Sequence, residues 1–177
     1  VKGGCPAAPQ GTPAQLLAAL AFLQQHAGTV SPVTLDIGAN DVLPDSNPAT
    51  CTIDKTKFES DLATFDANFK GVILPQLHDA LMVHDRLSGD LVVMNYYFPY
   101  QNICPNLLPY NQIFNQHIAD DAKGFATLVN VFRAFGSSKV PNPNLCTYTW
   151  ICSEYHDIHA TVKGYSVIAD AFEDATY

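Results

Sequence analysis

The chain has few positively charged residues. It contains 9 Lys and Arg against 17 Asp and Glu, which gives a formal net charge of −8. Nucleic acids and anionic membrane surfaces are bound chiefly through Lys and Arg side chains. The composition therefore argues against both as partners of this protein.

The chain also lacks a long hydrophobic run. Its longest strongly apolar stretch, residues 16–23, is far shorter than the roughly 20 residues that span a bilayer, so we expect no integral membrane segment. Only 15% of the residues are charged, and 47% are hydrophobic. A chain of 177 residues with this composition can bury a sizeable core, which excludes intrinsic disorder and predicts a single domain over residues 1–177.

The cysteine count is five and therefore odd. Charge-poor chains rich in Asn, Thr, Tyr and Pro that carry several cysteines are commonly exported, so we expect a secreted, extracellular protein. Cys51 and Cys104 follow two neighbouring predicted strands and should pair, while Cys146 and Cys152 flank a short turn and should pair locally. Cys5 is then left over. The alternative is that all five are reduced and buried.

Helical and strand patterns alternate along the sequence. Short apolar runs predict strands at residues 33–37, 91–95 and 127–132. Apolar residues at helical spacing predict helices at residues 12–28, 58–81, 110–123 and 161–175, the second kinked or split at Pro75. Residues 1–11, 105–109 and 136–146 are predicted loops or turns. Strands that alternate with helices favour an α/β fold with a parallel sheet.

One group of polar residues, Gly38-Ala39-Asn40-Asp41, directly follows the first predicted strand. Sites in parallel α/β sheets form at such carboxyl ends of strands. The backbone amide of Gly38 and the side-chain amide of Asn40 can both donate to one anionic oxygen, as an oxyanion hole does. The alternative is an ordinary strand-ending turn in which Asp41 caps backbone amides.

A second polar group lies between His156 and Thr161, just before the last predicted helix. A His in this position with Asp157 close by suits a general base and the acid that orients it. Two alternatives stay open. Asp157 and Thr161 can simply cap the helix N-terminus, or His156 and His159 can bind a metal with Asp157 between them.

Taken together, the two groups resemble a known family. Residues 34–41 (TLDIGAND) resemble the Gly-x-Asn-Asp block of the SGNH (GDSL-type) serine hydrolases, and residues 157–169 (DIHATVKGYSVIA) resemble that family's C-terminal Asp/His block. Their order and separation also match, so the resemblance covers the chain from about Thr12 onward. It implies a three-layer α/β/α, flavodoxin-like fold with a parallel sheet, and hydrolysis of carboxylic esters such as acyl lipids or acetylated sugars.

The resemblance also implies residue roles. His159 would be the general base that takes the proton from a serine, and Asp157 would orient His159 and stabilise its charged form. The backbone amide of Gly38 and the side chain of Asn40 would form the oxyanion hole. Neither a metal nor an organic cofactor is implied.

Two features depart from the family pattern. The family's acid most often stands three residues before the His, where this chain has His156, whereas Asp157 stands two before. The alternative to Asp157 is that a backbone carbonyl or a water orients His159. The family's nucleophile stands in a Gly-Asp-Ser motif after an N-terminal strand, and no Gly-Asp-Ser occurs in the 177 residues. Ser153 lies near His159 in sequence but lacks that context.

Relative to the family, the chain is therefore predicted to lack its first strand and the serine that follows it. Its start at Val1 rather than Met also suggests a processed or trimmed chain. Residues 33–37 would then form an exposed apolar edge of the sheet. We expect the chain alone to be marginally stable, or to need a complementing N-terminal segment, a second copy or a rearranged N-terminus.

Aromatic residues follow the second predicted strand. Tyr96 and Tyr97 stand first among them and either line an acyl or sugar pocket or pack over the core. Two functional hypotheses result. The first is an exported ester hydrolase of the esterase or lipase type, and the alternative is a catalytically inactive α/β remnant that acts as a binding module.

Overall fold

A computed structural model describes residues 14–176 of the protein. Three predictions fall outside the described residues: the loop at 1–11, the helix start at Thr12-Pro13, and the leftover Cys5.

The described chain is mainly helical and contains short strands. The helices are α1 (Gln15–Gln25), α2 (Ala39–Val42), α3 (Lys55–Asn68), α4 (Leu74–Ala80), α5 (Leu108–Ala122), α6 (Val131–Ala134), α7 (Leu145–Tyr148) and α8 (Val162–Thr176). The strands are β1 (Val33–Leu35), β2 (Ser46–Asn47), β3 (Thr52–Ile53), β4 (Met82–Val83), β5 (Arg86–Leu87), β6 (Leu91–Met94) and β7 (Thr127–Val129).

Three strands form the main sheet. Strand β6 lies in the centre and pairs in parallel with β1 on one side and β7 on the other. Thr34 lies opposite Val92 in the first pair, and Val93 lies opposite Leu128 in the second. The predicted α/β class and parallel sheet are therefore confirmed at this level. The sequence did not predict the two antiparallel hairpins, β2–β3 and β4–β5.

Helices cover both faces of the central strand. Side chains alternate between the faces of a strand, and all four residues of β6 are buried. Leu91 and Val93 belong to one apolar cluster, which includes Phe69 from the segment after α3. Val92 and Met94 belong to another cluster, against which α8 packs. Burial on both faces explains why the sequence of β6 is continuously apolar.

Two of the predicted strands are shorter than expected. Strand β1 ends at Leu35 rather than Ile37, since pairing with β6 stops there. Strand β7 ends at Val129 rather than at residue 132, because the side chain of Asn130 accepts a hydrogen bond from the Arg133 backbone N–H and starts α6. An Asn at a helix start offers the backbone this alternative to continued sheet pairing.

The helix predicted at residues 58–81 consists of three parts. Helix α3 runs into a π-helical segment, Phe69–Ile73, and helix α4 follows with Pro75 in its first turn. Proline is tolerated there because that N–H has no partner within the helix. The helix is thus split as predicted, but the split is the π-helical segment Phe69–Ile73, which lies before Pro75.

The three remaining helix predictions are confirmed with small shifts. Within the described residues, α1 ends at Gln25, before the predicted residue 28. Helix α5 starts at Leu108 rather than residue 110 and follows a 3₁₀ turn, Pro105–Leu107. Helix α8 runs one residue later at each end than the predicted 161–175. The loop predicted at 136–146 contains the start of α7 at Leu145.

Both predicted cysteine pairs lie at disulfide distance. Cys51 pairs with Cys104 and Cys146 pairs with Cys152, and the Cα atoms are 5.1 Å apart in each pair. The first pair connects the β2–β3 hairpin to the loop after β6. The second closes a short loop in the segment that leads to His159.

Strand β1 forms an edge of the sheet within the described range, as predicted. Its edge is less apolar than expected: Thr34 is exposed, while Val33 and Leu35 are half-buried and pack against the first cluster. The expected marginal stability of the chain stays a prediction. Among residues 14–176, none of the helices combines the length and the apolar character needed to cross a bilayer.

The packing of α8 predicts the effect of a single methyl group. A Cβ on Gly164 would overlap the backbone oxygen of Tyr148 and lie 3.0 Å from the Cβ of Ala160. We expect Gly164→Ala to lower the free energy of unfolding by about 1–3 kcal/mol, because backbone atoms have to move. Urea denaturation measures this change.

Gly71→Ala is the matched control for that substitution. A Cβ on Gly71 meets no atom within 4 Å. Because Ala is the better helix former, we expect this variant to be as stable as wild type or more stable by up to about 1 kcal/mol. Equal destabilisation by both substitutions would contradict the tight packing of α8 on α7.

Candidate functional site

A cavity of about 340 Å³ opens at the carboxyl ends of β1 and β6. Gly38, Asn40, Tyr96, Tyr97 and His159 all line it. The structure thus brings together five of the six residues singled out in the sequence. The sixth, Asp157, contacts His159 but is not among the lining residues.

Position 38 requires a glycine, both because of its backbone conformation and because of the atoms that surround it. Its φ angle is +112°, which L side chains rarely adopt. A Cβ at this position would also lie 2.9 Å from the Cδ2 atom of Phe65 and 3.1 Å from the Cζ atom of Phe114. The chain therefore turns sharply after β1 and enters the short helix α2 directly.

Asn40 lies in α2 and is exposed toward the cavity. Its side-chain amide makes no hydrogen bond to any residue in the range 14–176, so both of its N–H donors are available. Asp41 holds the turn, since its backbone N–H donates to the Gly38 carbonyl at 2.9 Å. Burial raises the pKa of the Asp41 carboxyl above its ordinary value.

His159 and Asp157 form a hydrogen-bonded pair. The Asp157 Oδ1 atom lies 2.5 Å from the His159 Nδ1 atom and accepts a second hydrogen bond from the His159 backbone N–H at 2.8 Å. The His159 side chain is exposed and the Asp157 side chain is half-buried. The spacing of two residues suits this arrangement because one carboxylate oxygen reaches both nitrogens. The Nε2 atom has no partner within the described part of the chain.

Two backbone hydrogen bonds hold the chain around His159. The Trp150 N–H donates to the His159 carbonyl at 3.0 Å and the Thr161 N–H donates to the Tyr148 carbonyl at 2.8 Å. Together they form an antiparallel bridge between Thr149 and Ala160. Thr149 is buried and lies between Cys146 and Cys152, the local cysteine pair. The loop that carries His159 is therefore attached to a cross-linked segment.

Asp36 belongs to the site although the resemblance assigns it no role. It follows β1 and accepts a hydrogen bond from the Tyr96 hydroxyl. The pKa of Tyr96 is raised, chiefly by burial and next by the Asp36 charge. The sequence did offer one indication of this role, because Asp36 is an acidic residue near the end of an otherwise apolar run.

Both apolar and polar side chains line the cavity. The apolar ones include Ile53, Phe58, Met94, Phe98, Leu107, Phe114 and Ile168, and the polar ones include Gln15, Asp36, Asp41, Ser46 and Asn111 besides Asn40 and His159. A cavity of this size that combines apolar walls with polar side chains is typical of a small-molecule site.

One serine, Ser46, is among the residues that line the cavity. Its hydroxyl donates to the Leu43 carbonyl at 2.9 Å. The hydroxyl of Ser153 donates to the Trp150 carbonyl at 2.6 Å. No serine in the described range forms a hydrogen bond with the His159 ring.

Two alternatives were open for this stretch, a helix cap and a metal site. The cap is present at Thr161, whose hydroxyl accepts a hydrogen bond from the Gly164 N–H at 3.1 Å. Residues 14–176 contain no group of three or more His, Cys, Asp or Glu side chains arranged to hold a metal ion. The Nδ1 atom of His156 lies 3.4 Å from the Ile151 carbonyl oxygen.

Comparison with known proteins finds no relative: no family model, no curated protein and no solved structure matches the chain.

The pair of Asp157 and His159 predicts a response to acid. Hydrogen bonds from the backbone N–H and then from the ring of His159 lower the pKa of Asp157 below its usual 3.8. Because the folded-state pKa is the lower one, these bonds stabilise the loop above the unfolded-state pKa, and that stability is lost as pH falls through the folded-state pKa. We expect the His159 amide resonance to shift in this acidic range.

Two variants separate this response from general acid unfolding. Asp157→Asn removes the titrating carboxyl, so the shift of the His159 amide below pH 3.8 should disappear. Asp170→Asn changes an exposed residue of α8 and should keep the wild-type titration. An unchanged acid titration in Asp157→Asn would show that another group controls the loop.

Proposed function

We propose that the cavity binds a carboxylic ester, and that the chain supplies the general base and the oxyanion hole of an ester hydrolase of the serine type. This is the activity implied by the resemblance to the SGNH (GDSL-type) family. The observation that carries the proposal is the convergence of Gly38, Asn40 and His159 on one cavity, with Asp157 at the Nδ1 atom of His159.

The chemistry assigns one task to each group. A serine hydroxyl attacks the ester carbonyl while the Nε2 atom of His159 accepts its proton, and His159 then returns that proton to the leaving alcohol. The N–H of Gly38 and the side-chain amide of Asn40 donate to the oxygen that becomes negative. Asp157 stabilises the charged imidazolium. Water then hydrolyses the acyl-serine by the same steps.

The apolar part of the cavity supports an ester with a hydrocarbon acyl group. Its apolar lining includes the side chains of Met94, Phe98 and Leu107, and Asn40 and His159 line the same cavity. The proposal therefore places the ester carbonyl near Asn40 and His159 and the acyl chain against the apolar side chains.

The proposal requires a nucleophile from a complementing segment or a second copy. The hydroxyls of Ser46 and Ser153 already donate to backbone carbonyls. Strand β1 pairs on one side only within the described range, and its carboxyl end leads into the Gly38 turn. A parallel strand added beside β1 would end at the cavity and would complete the three-layer, flavodoxin-like fold.

Secretion belongs to the same proposal. Two cysteine pairs lie at disulfide distance, and such pairs form and persist mainly in oxidising compartments. An exported ester hydrolase would be consistent with them.

The second candidate is a catalytically inactive binding module. It is favoured by one observation: no serine among residues 14–176 contacts the His159 ring, although the cavity is formed. In this case the cavity holds an ester or a related small molecule without cleaving it.

The test compares the chain alone with the chain joined at residue 1 to a strand that ends in Gly-Asp-Ser. We expect p-nitrophenyl acetate turnover only in the joined form. His159→Ala should lower this turnover by about 10²–10⁴-fold, the usual contribution of a general base. His26→Ala is the control, because His26 ends α1 and does not line the cavity.

The possible results separate the two candidates. Undiminished turnover in His159→Ala would refute the assigned general base. A joined form that binds ester, but neither hydrolyses it nor reacts with a fluorophosphonate, would favour the binding module. Fluorophosphonate labelling of the chain alone would reveal a serine within these 177 residues.

A further inference from the structure

Two consecutive tyrosines lie between the two halves of the site. Tyr96 and Tyr97 follow β6, and successive side chains along an extended chain point to opposite faces of the sheet. The Tyr96 ring stacks on Phe114 with centroids 5.6 Å apart, whereas the Tyr97 ring stacks on Phe135 at 4.2 Å. Phe114 and Phe135 belong to the two different apolar clusters.

Tyr96 connects the end of β6 to the end of β1. Its hydroxyl donates to Asp36, two residues before Gly38. Its backbone is held from the other side, because the Asn115 side chain accepts from the Tyr96 N–H and donates to its carbonyl, each at 2.8 Å. The Asn111 side chain donates to the same carbonyl at 3.1 Å. A fixed Tyr96 therefore restrains the chain entering the Gly38 turn.

Tyr97 connects the end of β6 to the histidine loop. Its hydroxyl donates to the Ile158 carbonyl at 2.9 Å, directly before His159. This bond joins the loop to the sheet, whereas the bond from Trp150 joins it to the cross-linked segment. Burial raises the pKa of the Tyr97 hydroxyl, so it stays protonated and able to donate throughout the neutral range.

We propose that Tyr96 and Tyr97 are positioning residues, Tyr96 for the Gly38–Asn40 turn and Tyr97 for the His159 loop. Each acts through its hydroxyl, which is already engaged by the protein. The adjacent placement of the two tyrosines couples both halves of the site to one point of the central strand. Their catalytic importance rests on the proposed function, but their positioning role does not.

Hydrogen exchange tests the positioning role on the chain itself. The Trp150 and His159 amides report on the loop, because they donate to the His159 carbonyl and to Asp157. The Asp41 amide, which donates to the Gly38 carbonyl, reports on the turn. We expect Tyr97→Phe to speed exchange of the loop amides about fivefold, the effect of losing one hydrogen bond, and to leave the Asp41 amide unchanged.

Tyr96→Phe should show the opposite distribution, with faster exchange at Asp41 and unchanged loop amides. Tyr148→Phe is the matched control. Its ring also packs on Phe135, at 5.2 Å, but its hydroxyl has no hydrogen-bond partner within residues 14–176. The proposal is overturned if either variant affects both regions equally, or if neither exceeds the control.

Kinetics of the joined form add a second readout. If it hydrolyses esters, the two Phe variants should lower kcat and leave KM unchanged. A raised KM with unchanged kcat would show instead that the hydroxyls bind substrate, and would overturn the positioning role. If no form hydrolyses esters, the proposed function fails, and the exchange rates alone still decide the roles of Tyr96 and Tyr97.

Discussion

Parallel hydrogen bonding between β1 and β6 places the ends of both strands at the same edge of the sheet. With Thr34 opposite Val92, the chain that leaves β1 reaches Gly38 beside the chain that leaves β6 and reaches Tyr96. Burial of β6 on both faces fixes this register, because a shift by one residue would exchange the side chains between the two clusters. The turn at Gly38 and the cavity both depend on this pairing.

The other half of the site reaches the same edge from a distant part of the chain. His159 lies in a loop that is bonded to Tyr97 at Ile158 and to Trp150 at its own carbonyl. Helix α8 follows this loop and packs against the face of β6 that carries Met94. The sheet and its second cluster thus determine where the histidine lies.

The sequence predicted the parallel sheet, the long helices, both cysteine pairs and the residues that meet at the cavity. These features were predictable because the spacing of apolar residues along the chain indicates helices and strands. Polar residues that follow a predicted strand then mark the edge of a parallel sheet where sites form. The strand ends were less predictable, since β7 stops where the Asn130 side chain bonds to the Arg133 backbone. The β2–β3 hairpin and the bonds of Asp36 and Tyr97 depend on tertiary contacts that no local pattern encodes.

The central claim is that the Gly38–Asn40 turn and His159 face one small-molecule cavity. Intermolecular nuclear Overhauser effects from a bound short-chain ester, propyl butyrate, test it most directly. The account predicts contacts from the same ester molecule to the Asn40 side chain, to the His159 ring and, through the butyryl chain, to Met94 or Leu107. An ester that contacts Asn40 without His159, or that binds elsewhere on the protein, would contradict the account.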